Sequence, residues 1–182
     1  TALRNTSKAI ISACLLAGTI GLMSSFQFDS STTSPTPYEL EYPAYFGGRF
    51  RIPKDNPTTV EGVQLGRRLF YEKALSANGV ISCATCHRQE LAFTDGLTFS
   101  RGVDGSLTPR NAMSLANLLW VRNLFWDGRS PSLEEQAKIP LTNVHEMGQS
   151  LEASSAKLQE MAPYPELFRK AFGSDQITGE RI

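Results

Sequence analysis

Residues 83–87 read Cys-Ala-Thr-Cys-His, and this pentapeptide decides the architecture of the chain. Two thiols three positions apart can add across the two vinyl groups of a porphyrin, and the adjacent histidine then reaches the iron from one face. The motif therefore predicts one covalent c-type haem on Cys83 and Cys86, with His87 as the proximal ligand of the iron. The second ring nitrogen of His87 is expected to donate a hydrogen bond that selects the ligating tautomer.

Three other interpretations of the motif stay open at this point. A thioredoxin-like redox pair would need a preceding strand and an α/β pattern, neither of which the sequence shows. A zinc site would need further Cys or His ligands, and outside the pentapeptide His145 is the one other histidine. The third alternative is a chance occurrence of the five residues.

Composition and charge narrow the class of protein. The 182 residues are 41% hydrophobic and 20% charged, which is ordinary for a soluble globular domain. Lys and Arg number 18 and Asp and Glu number 18, so no basic excess exists to neutralise phosphates and nucleic acid is not an expected partner. Three cysteines, an odd number, do not form a disulfide scaffold.

The amino-terminal part of the chain predicts export. Arg4 and Lys8 precede an apolar run that ends near residue 26, so we interpret residues 1–26 as a signal peptide or, alternatively, a membrane anchor. Residues 11–14 also resemble a lipobox ending in Cys14. Because c-type haem is attached outside the cytoplasm in bacteria, the expected location is the periplasm. Residues 27–55 are predicted to form a tether followed by an irregular extended segment.

The pattern over residues 56–182 predicts a mainly α, cytochrome c-like haem domain with long irregular loops. No alternating strand pattern of any length occurs. Capping signals and helical spacing of apolar residues predict helices that begin after Thr58 (with Glu61 closing a capping box), over Ala112–Asn123, over Ser132–Lys138, from Ser150 to about Met161, and from Pro165 to Gly173.

Two glycines in the first helix predict close packing. Gly62 and Gly66 lie four residues apart on one helical face. A glycine in a helix interior costs about 1 kcal/mol relative to alanine, so we expect a neighbouring helix to cross at this point.

The second axial position of the iron decides whether a haem protein transfers electrons or also binds a small molecule. The candidate ligands downstream of the motif are His145, Met113, Met147 and Met161. A methionine at helical spacing is more often part of a core than a ligand. His145 is interpreted as a pocket or surface residue ahead of a ligand.

Several further motifs, in order along the chain, resemble the bacterial di-haem cytochrome c peroxidase family. The resemblance covers the amino-terminal, peroxidatic haem domain of that family, from about Asn56 to the end of the sequence. The matching stretches are Leu65–Tyr71, Leu75–Ser76, Ser82–His87, Ala92–Gly96, Pro109–Asn111, Phe125–Arg129, Gln136–Lys138, Pro140, Glu146–Gly148 and Tyr164–Phe168.

The resemblance implies an activity and a role for five residues. It implies reduction of hydrogen peroxide to water, with electrons from a small redox protein such as a cytochrome c or a cupredoxin. Glu146 is implied as the distal acid and base, with Gln136 as its polar neighbour and Pro140 shaping the pocket. Trp126 corresponds to the tryptophan between two haems, and Asn111 to a ligand of a calcium ion. A homodimer is a further expectation.

Two departures from the family pattern change the expectations. Many members carry a histidine that ligates the resting peroxidatic iron at the position of Val103, and valine cannot ligate. We therefore expect a sixth position that is vacant or occupied by water. The sequence also holds one C-x-x-C-H motif where the family has two, so we expect the chain to be truncated before a second haem domain.

Two other functions remain as alternatives. One is a mono-haem electron-transfer protein without peroxidase activity. The other is the activity of a related di-haem enzyme, which oxidises tryptophans on a partner protein during maturation of methylamine dehydrogenase.

Overall fold

The computed structural model describes residues 34–182, and the predicted signal peptide, Cys14 and the start of the tether lie outside this range. Five α-helices and several 3-10 turns make up the regular structure of the described residues, which otherwise form loops and isolated bridges without a strand. The predicted mainly α fold is therefore confirmed. The helices are α1 (Val60–Phe70), α2 (Cys83–Cys86), α3 (Leu133–Thr142), α4 (Leu151–Gln159) and α5 (Tyr164–Phe172).

Side-chain caps begin most of these helices. Ser132 caps α3 by accepting from the Glu135 N–H, and Ser150 caps α4 by accepting from the Ala153 N–H, as predicted. The cap of α1 is Thr59 instead of Thr58, because the Thr59 hydroxyl accepts from the Gly62 N–H. Glu61 does not close a capping box; its carboxylate accepts from the N–H and hydroxyl of Thr36 instead.

The core lies where α1, α4 and α5 meet the end of α3. It is built from buried apolar side chains: Leu65, Leu69, Leu75, Leu141, Met147, Leu158, Tyr164, Phe168, Ala171 and Ile177. Phe168 and Leu158 are fully buried, and each contributes about 1.5–3 kcal/mol by removing its side chain from water. Gly173 ends α5 in a left-handed conformation, as the sequence predicts.

The haem motif forms a single turn of helix at the edge of this core. Ser82 and Thr85 form a reciprocal capping box at the start of α2. The Cys83 side chain packs against the core cluster, so the position of the motif is coupled to the packing of α1 and α5.

The predicted helix over Ala112–Asn123 is wrong. Only Leu118–Trp120 form a 3-10 turn, and the preceding Asn117 adopts a left-handed conformation that a helix cannot continue through. Leu115 and Leu118 line a cavity instead of a helical core face. The spacing of apolar residues in this segment therefore comes from side chains that line a cavity and not from a helix.

The glycine prediction is also wrong. A Cβ added to Gly66 meets no atom within 4 Å, and one added to Gly62 meets the capping hydroxyl of Thr59. Neither glycine is required for a helix crossing.

An aromatic cluster joins residues 34–55 to the helical part. The Trp120 indole lies 5.0–5.2 Å from the rings of Tyr42, Phe46 and Phe50, each in an edge-on arrangement. Its N–H donates to the Gly47 carbonyl at 2.9 Å. Within residues 34–182, none of the helices has the length and apolar character needed to cross a bilayer.

Candidate haem site

One cavity brings together all of the site residues predicted from the sequence. Its volume is about 400 Å³ and its lining is mainly apolar, as is usual for cofactor pockets. The predicted residues in its wall are Cys83, Cys86, His87, Asn111, Trp126, Gln136, Pro140 and Glu146. Residues separated by more than sixty positions therefore face one space.

A hydrogen bond orients the His87 imidazole. His87 Nδ1 lies 2.8 Å from the Phe93 carbonyl oxygen. A carbonyl can only accept, so Nδ1 carries the proton and Nε2 keeps its lone pair for a metal ion. This is the expected tautomer-selecting hydrogen bond.

An unusual backbone turn presents that carbonyl. Ala92 and Phe93 both have positive φ angles, 53° and 61°, which non-glycine residues seldom adopt. Backbone hydrogen bonds between Arg88 and Thr94 and from the Phe93 N–H to the Arg88 carbonyl close the turn. The chain leaving the motif therefore returns within six residues to the histidine.

The two cysteines are free thiols on the same wall of the cavity. Burial raises the pKa of the Cys83 thiol to about 11, and burial also raises the pKa of Cys86. The Cys83 sulfur lies 4.0 Å from the sulfur of buried Met147. No group of three His, Cys, Asp or Glu side chains suitable for a metal ion occurs in residues 34–182, so a zinc site finds no support there.

Glu146 lies on a turn after α3. Pro140, inside α3, lacks an N–H and so leaves the carbonyl of Gln136 without its helical donor. The Pro140 carbonyl accepts from the Met147 N–H at 3.1 Å, which folds the turn back onto the helix. The Glu146 carboxylate accepts from the Asn143 amide at 2.8 Å.

A glycine-containing loop holds the same turn from the other side. The Val103 N–H donates to the Glu146 carbonyl at 2.7 Å, and Asp104 pairs with the His145 ring at 2.8 Å. Gly102 packs so closely that a Cβ there would overlap the His145 carbonyl group. The loop and the turn are therefore joined by two hydrogen bonds and by close packing at Gly102.

Two of the four candidates for the sixth ligand of the iron, Met113 and Met147, contribute to the cavity wall, and His145 and Met161 do not. The His145 side chain is exposed and bonded to Asp104, and it is not in the cavity wall. Met147 is buried in the core and Met161 packs against it. Met113 alone of the four contributes to the cavity wall without belonging to the core.

Trp126 lies at the mouth of the cavity. It is 58% exposed, and its indole N–H donates to the Asn111 carbonyl at 3.1 Å. Asp127 accepts from Arg110 at 2.8 Å and from Arg129 at 2.9 Å, which ties this loop to the segment that carries Asn111. Trp126 and Asn111 also line a second, more open cavity beside the first.

Sequence reasoning missed three residues that shape the site: Phe93, Asn143 and Asp127. Phe93 acts through its backbone carbonyl, for which no side-chain pattern exists. Asn143 directly follows the last turn of α3. Its position as the C-terminal cap of that helix is the sequence feature that could have identified it. Asp127 lies between Arg110 and Arg129, both in the sequence and in space. This charge pattern could have identified it.

The donors and the cavity fit a c-type haem and define a c-type haem domain. Two thiols one helical turn apart face an apolar cavity large enough for a flat macrocycle, beside an imidazole whose Nε2 is free to bind iron. The chain belongs to the di-haem cytochrome c peroxidase family, because the sequence model of that family matches residues 60–182.

Individual relatives agree with this assignment. The chain is 43% identical over 129 residues to the methylamine utilization protein MauG of Methylorubrum extorquens, covering 71% of this chain and 36% of that protein. It is 38% identical over 126 residues to the cytochrome c551 peroxidase of Nitrosomonas europaea, covering 69% and 38%. The chain thus spans less than two fifths of the length of either relative.

A solved structure shows the same fold. The crystal structure of a MauG-like protein associated with microbial copper homeostasis matches with a TM-score of 0.70 and 42% identity. The match covers 75% of this chain and 40% of that chain.

Replacing Gly102 by alanine tests the contact between loop and turn. Gly102→Ala is expected to lower the free energy of unfolding by about 1–3 kcal/mol, because the added methyl group must displace the His145 backbone. Gly66→Ala is the matched control and is expected to stabilise the protein by about 0.5–1 kcal/mol, since a helical position with open space gains from alanine. Denaturant unfolding of the haem-loaded protein measures both. Equal effects of the two substitutions would contradict the assigned contact.

The ion pairs of Asp127 predict a pH-dependent contribution to stability. Hydrogen bonds from Arg110, then Arg129, lower the pKa of Asp127 to about 2. A depressed pKa means that the carboxylate stabilises the folded state above the unfolded pKa of about 3.9, and that this contribution is lost as pH falls towards 2. Asp127→Asn is expected to lower the unfolding midpoint at pH 5–7, with a difference from the wild type that closes between about pH 4 and 2.

Glu160 is an exposed acid with no ion pair among the described residues, so Glu160→Gln is the control. This substitution should leave the unfolding midpoint unchanged both at pH 5–7 and between about pH 4 and 2. A wild-type advantage over Asp127→Asn that persists unchanged below pH 2 would show that charge is not its origin.

Proposed function

We propose that this domain reduces hydrogen peroxide to water at a haem c attached to Cys83 and Cys86 and ligated by His87. The observation that carries the proposal is the shared cavity: the Glu146 carboxylate and the His87 imidazole line one space of about 400 Å³. The peroxidase names among the relatives support the same reaction. The net reaction consumes two electrons and two protons per peroxide and yields two waters.

Cys83, Cys86 and His87 would hold the haem, which would supply the redox chemistry that reduces peroxide. Cleavage of the O–O bond would also require a proton to move from one oxygen of the peroxide to the other. Glu146 can take and return that proton, and general acid–base catalysis of this kind contributes about 10²- to 10⁴-fold. Gln136 can orient the departing oxygen through its amide without adding charge, and Pro140 shapes the wall between them.

We propose Trp126 as the point of electron entry. Its indole is exposed on one side and borders the haem cavity on the other. Leu97 and Phe99, both exposed apolar residues, lie beside it in the second cavity and provide a surface on which an electron-delivering unit can pack. The proposed donor is a small cytochrome c or cupredoxin.

Four further elements of the proposal concern the whole protein. Location in the periplasm is supported by the attachment chemistry of haem c and by the pattern of residues 1–26. A second haem domain is supported by the family and by the partial coverage of the relatives. A calcium ion near Asn111 would need ligands besides that residue, because residues 34–182 contain no acidic cluster. A homodimer completes the proposal.

Glu146→Gln tests the proton-transfer role. The substitution keeps size and hydrogen bonding but removes the base, so the reaction of peroxide with the ferric haem is expected to slow by about 100-fold or more. Stopped-flow decay of the ferric Soret band measures this rate in the haem-loaded protein. Glu160→Gln is the control and should react at the wild-type rate. Unaltered reactivity of Glu146→Gln would reject the role, and a wild-type protein that exchanges electrons with donors but leaves peroxide intact would favour the electron-carrier alternative.

A further inference from the structure

Asn143 connects the end of α3 to the carboxylate of Glu146. Its side-chain oxygen accepts from the His145 N–H at 3.0 Å, and its side-chain nitrogen donates to Glu146 Oε1 at 2.8 Å. Its backbone carbonyl accepts from the N–H groups of Glu146 and Gly148, both at 2.9 Å. One residue therefore organises the turn and contacts its functional side chain.

The two side-chain contacts fix the orientation of the Asn143 amide. If the amide were flipped, its NH₂ group would face the His145 N–H and its oxygen would face a carboxylate oxygen. Both of those contacts would be repulsive, because they would pair donor with donor and acceptor with acceptor. With Glu146 ionised, the amide donor therefore points to Glu146.

The Glu146 carboxylate has no second anchor within residues 34–182. Among these residues it forms no ion pair, and Asn143 is its one hydrogen-bond donor. Asn143 donates to Oε1, and no side chain among these residues donates to Oε2, which is therefore the oxygen without a protein partner.

We infer that Asn143 is a positioning residue for proton transfer: its amide holds one carboxylate oxygen of Glu146 so that the other faces the haem cavity. The inference rests on the proposed role of Glu146. A half-buried Glu side chain has several rotamers, and a single bond of 2.8 Å to a cap residue of a helix selects one.

A purely structural role of Asn143 makes a different prediction. In that case the acceptor oxygen and the backbone of the turn would carry the whole effect. Asn143→Asp separates the two roles, because aspartate keeps the oxygen that accepts from His145 but replaces the donor with an oxygen that repels Glu146. Asn143→Ser is a second variant, since a serine hydroxyl can accept from the N–H two residues ahead but is too short to bridge to Glu146.

Cyanide binding to the ferric, haem-loaded full-length protein provides a readout independent of peroxide turnover. At neutral pH the ligand enters as HCN and binds as the anion, so a distal base must take its proton. The rate of cyanide association in Glu146→Gln is the reference for a protein without that base. Val144→Asp is the charge control, because Val144 is exposed on the same turn and the substitution adds a negative charge outside the cavity. Thermal midpoints and ferric Soret spectra establish that each variant is folded.

We expect Asn143→Asp and Asn143→Ser to slow cyanide association by about 10-fold or more, towards the Glu146→Gln rate, while Val144→Asp matches the wild type. Wild-type rates in both Asn143 variants, with Glu146→Gln slow, would overturn the inference and leave the role of Glu146 standing. A wild-type rate in Glu146→Gln itself would overturn both. Equal slowing by Val144→Asp would assign the effect to charge and overturn the positioning role.

Discussion

The hydrogen bond from His87 Nδ1 to the Phe93 carbonyl is the constraint on which the site depends. It sets which imidazole nitrogen can bind iron, and it can form only if the chain turns back on itself directly after the motif. Ala92 and Phe93 adopt left-handed backbone conformations in that turn. Strained backbone of this kind costs about 1–3 kcal/mol of free energy per residue. Pairing of Arg88 with Thr94 on either side holds the turn closed.

The opposite side of the cavity is organised by contacts between segments that are distant in sequence. Glu146 is held by Asn143 through its side chain and by Val103 through its backbone. Met147, the next residue, is buried in the same core as α1 and α5 and lies next to Cys83. The side of the cavity that carries Cys83 and the side that carries Glu146 are therefore attached to one packed core.

Much of this arrangement was predictable from particular residues. The caps at Ser132 and Ser150 and the end of α5 at Gly173 each follow from a local rule, and the structure confirms them. The attachment motif follows from a local rule as well, and haem attachment there stays a prediction. The segment from Ala112 to Asn123 was not predictable by periodicity, because Leu115 and Leu118 line a cavity shaped by distant loops, and Asn117 interrupts the helical path. The Asn143–Glu146 and His87–Phe93 hydrogen bonds depend on turn geometry, which the residue types alone do not specify.

We expect an iron held by His87 to have no second protein side chain bound to it, and Met113 is the one candidate ligand that lines the cavity without belonging to the core. The resemblance to the family implies that Val103 replaces the histidine that ligates the resting iron in many members, and His145 is turned towards Asp104. Electron paramagnetic resonance of the ferric, haem-loaded full-length protein tests this most directly. We expect a high-spin haem whose signal is lost in His87→Ala. A ferric protein in which every haem is low-spin, with two protein ligands on each iron, would contradict it.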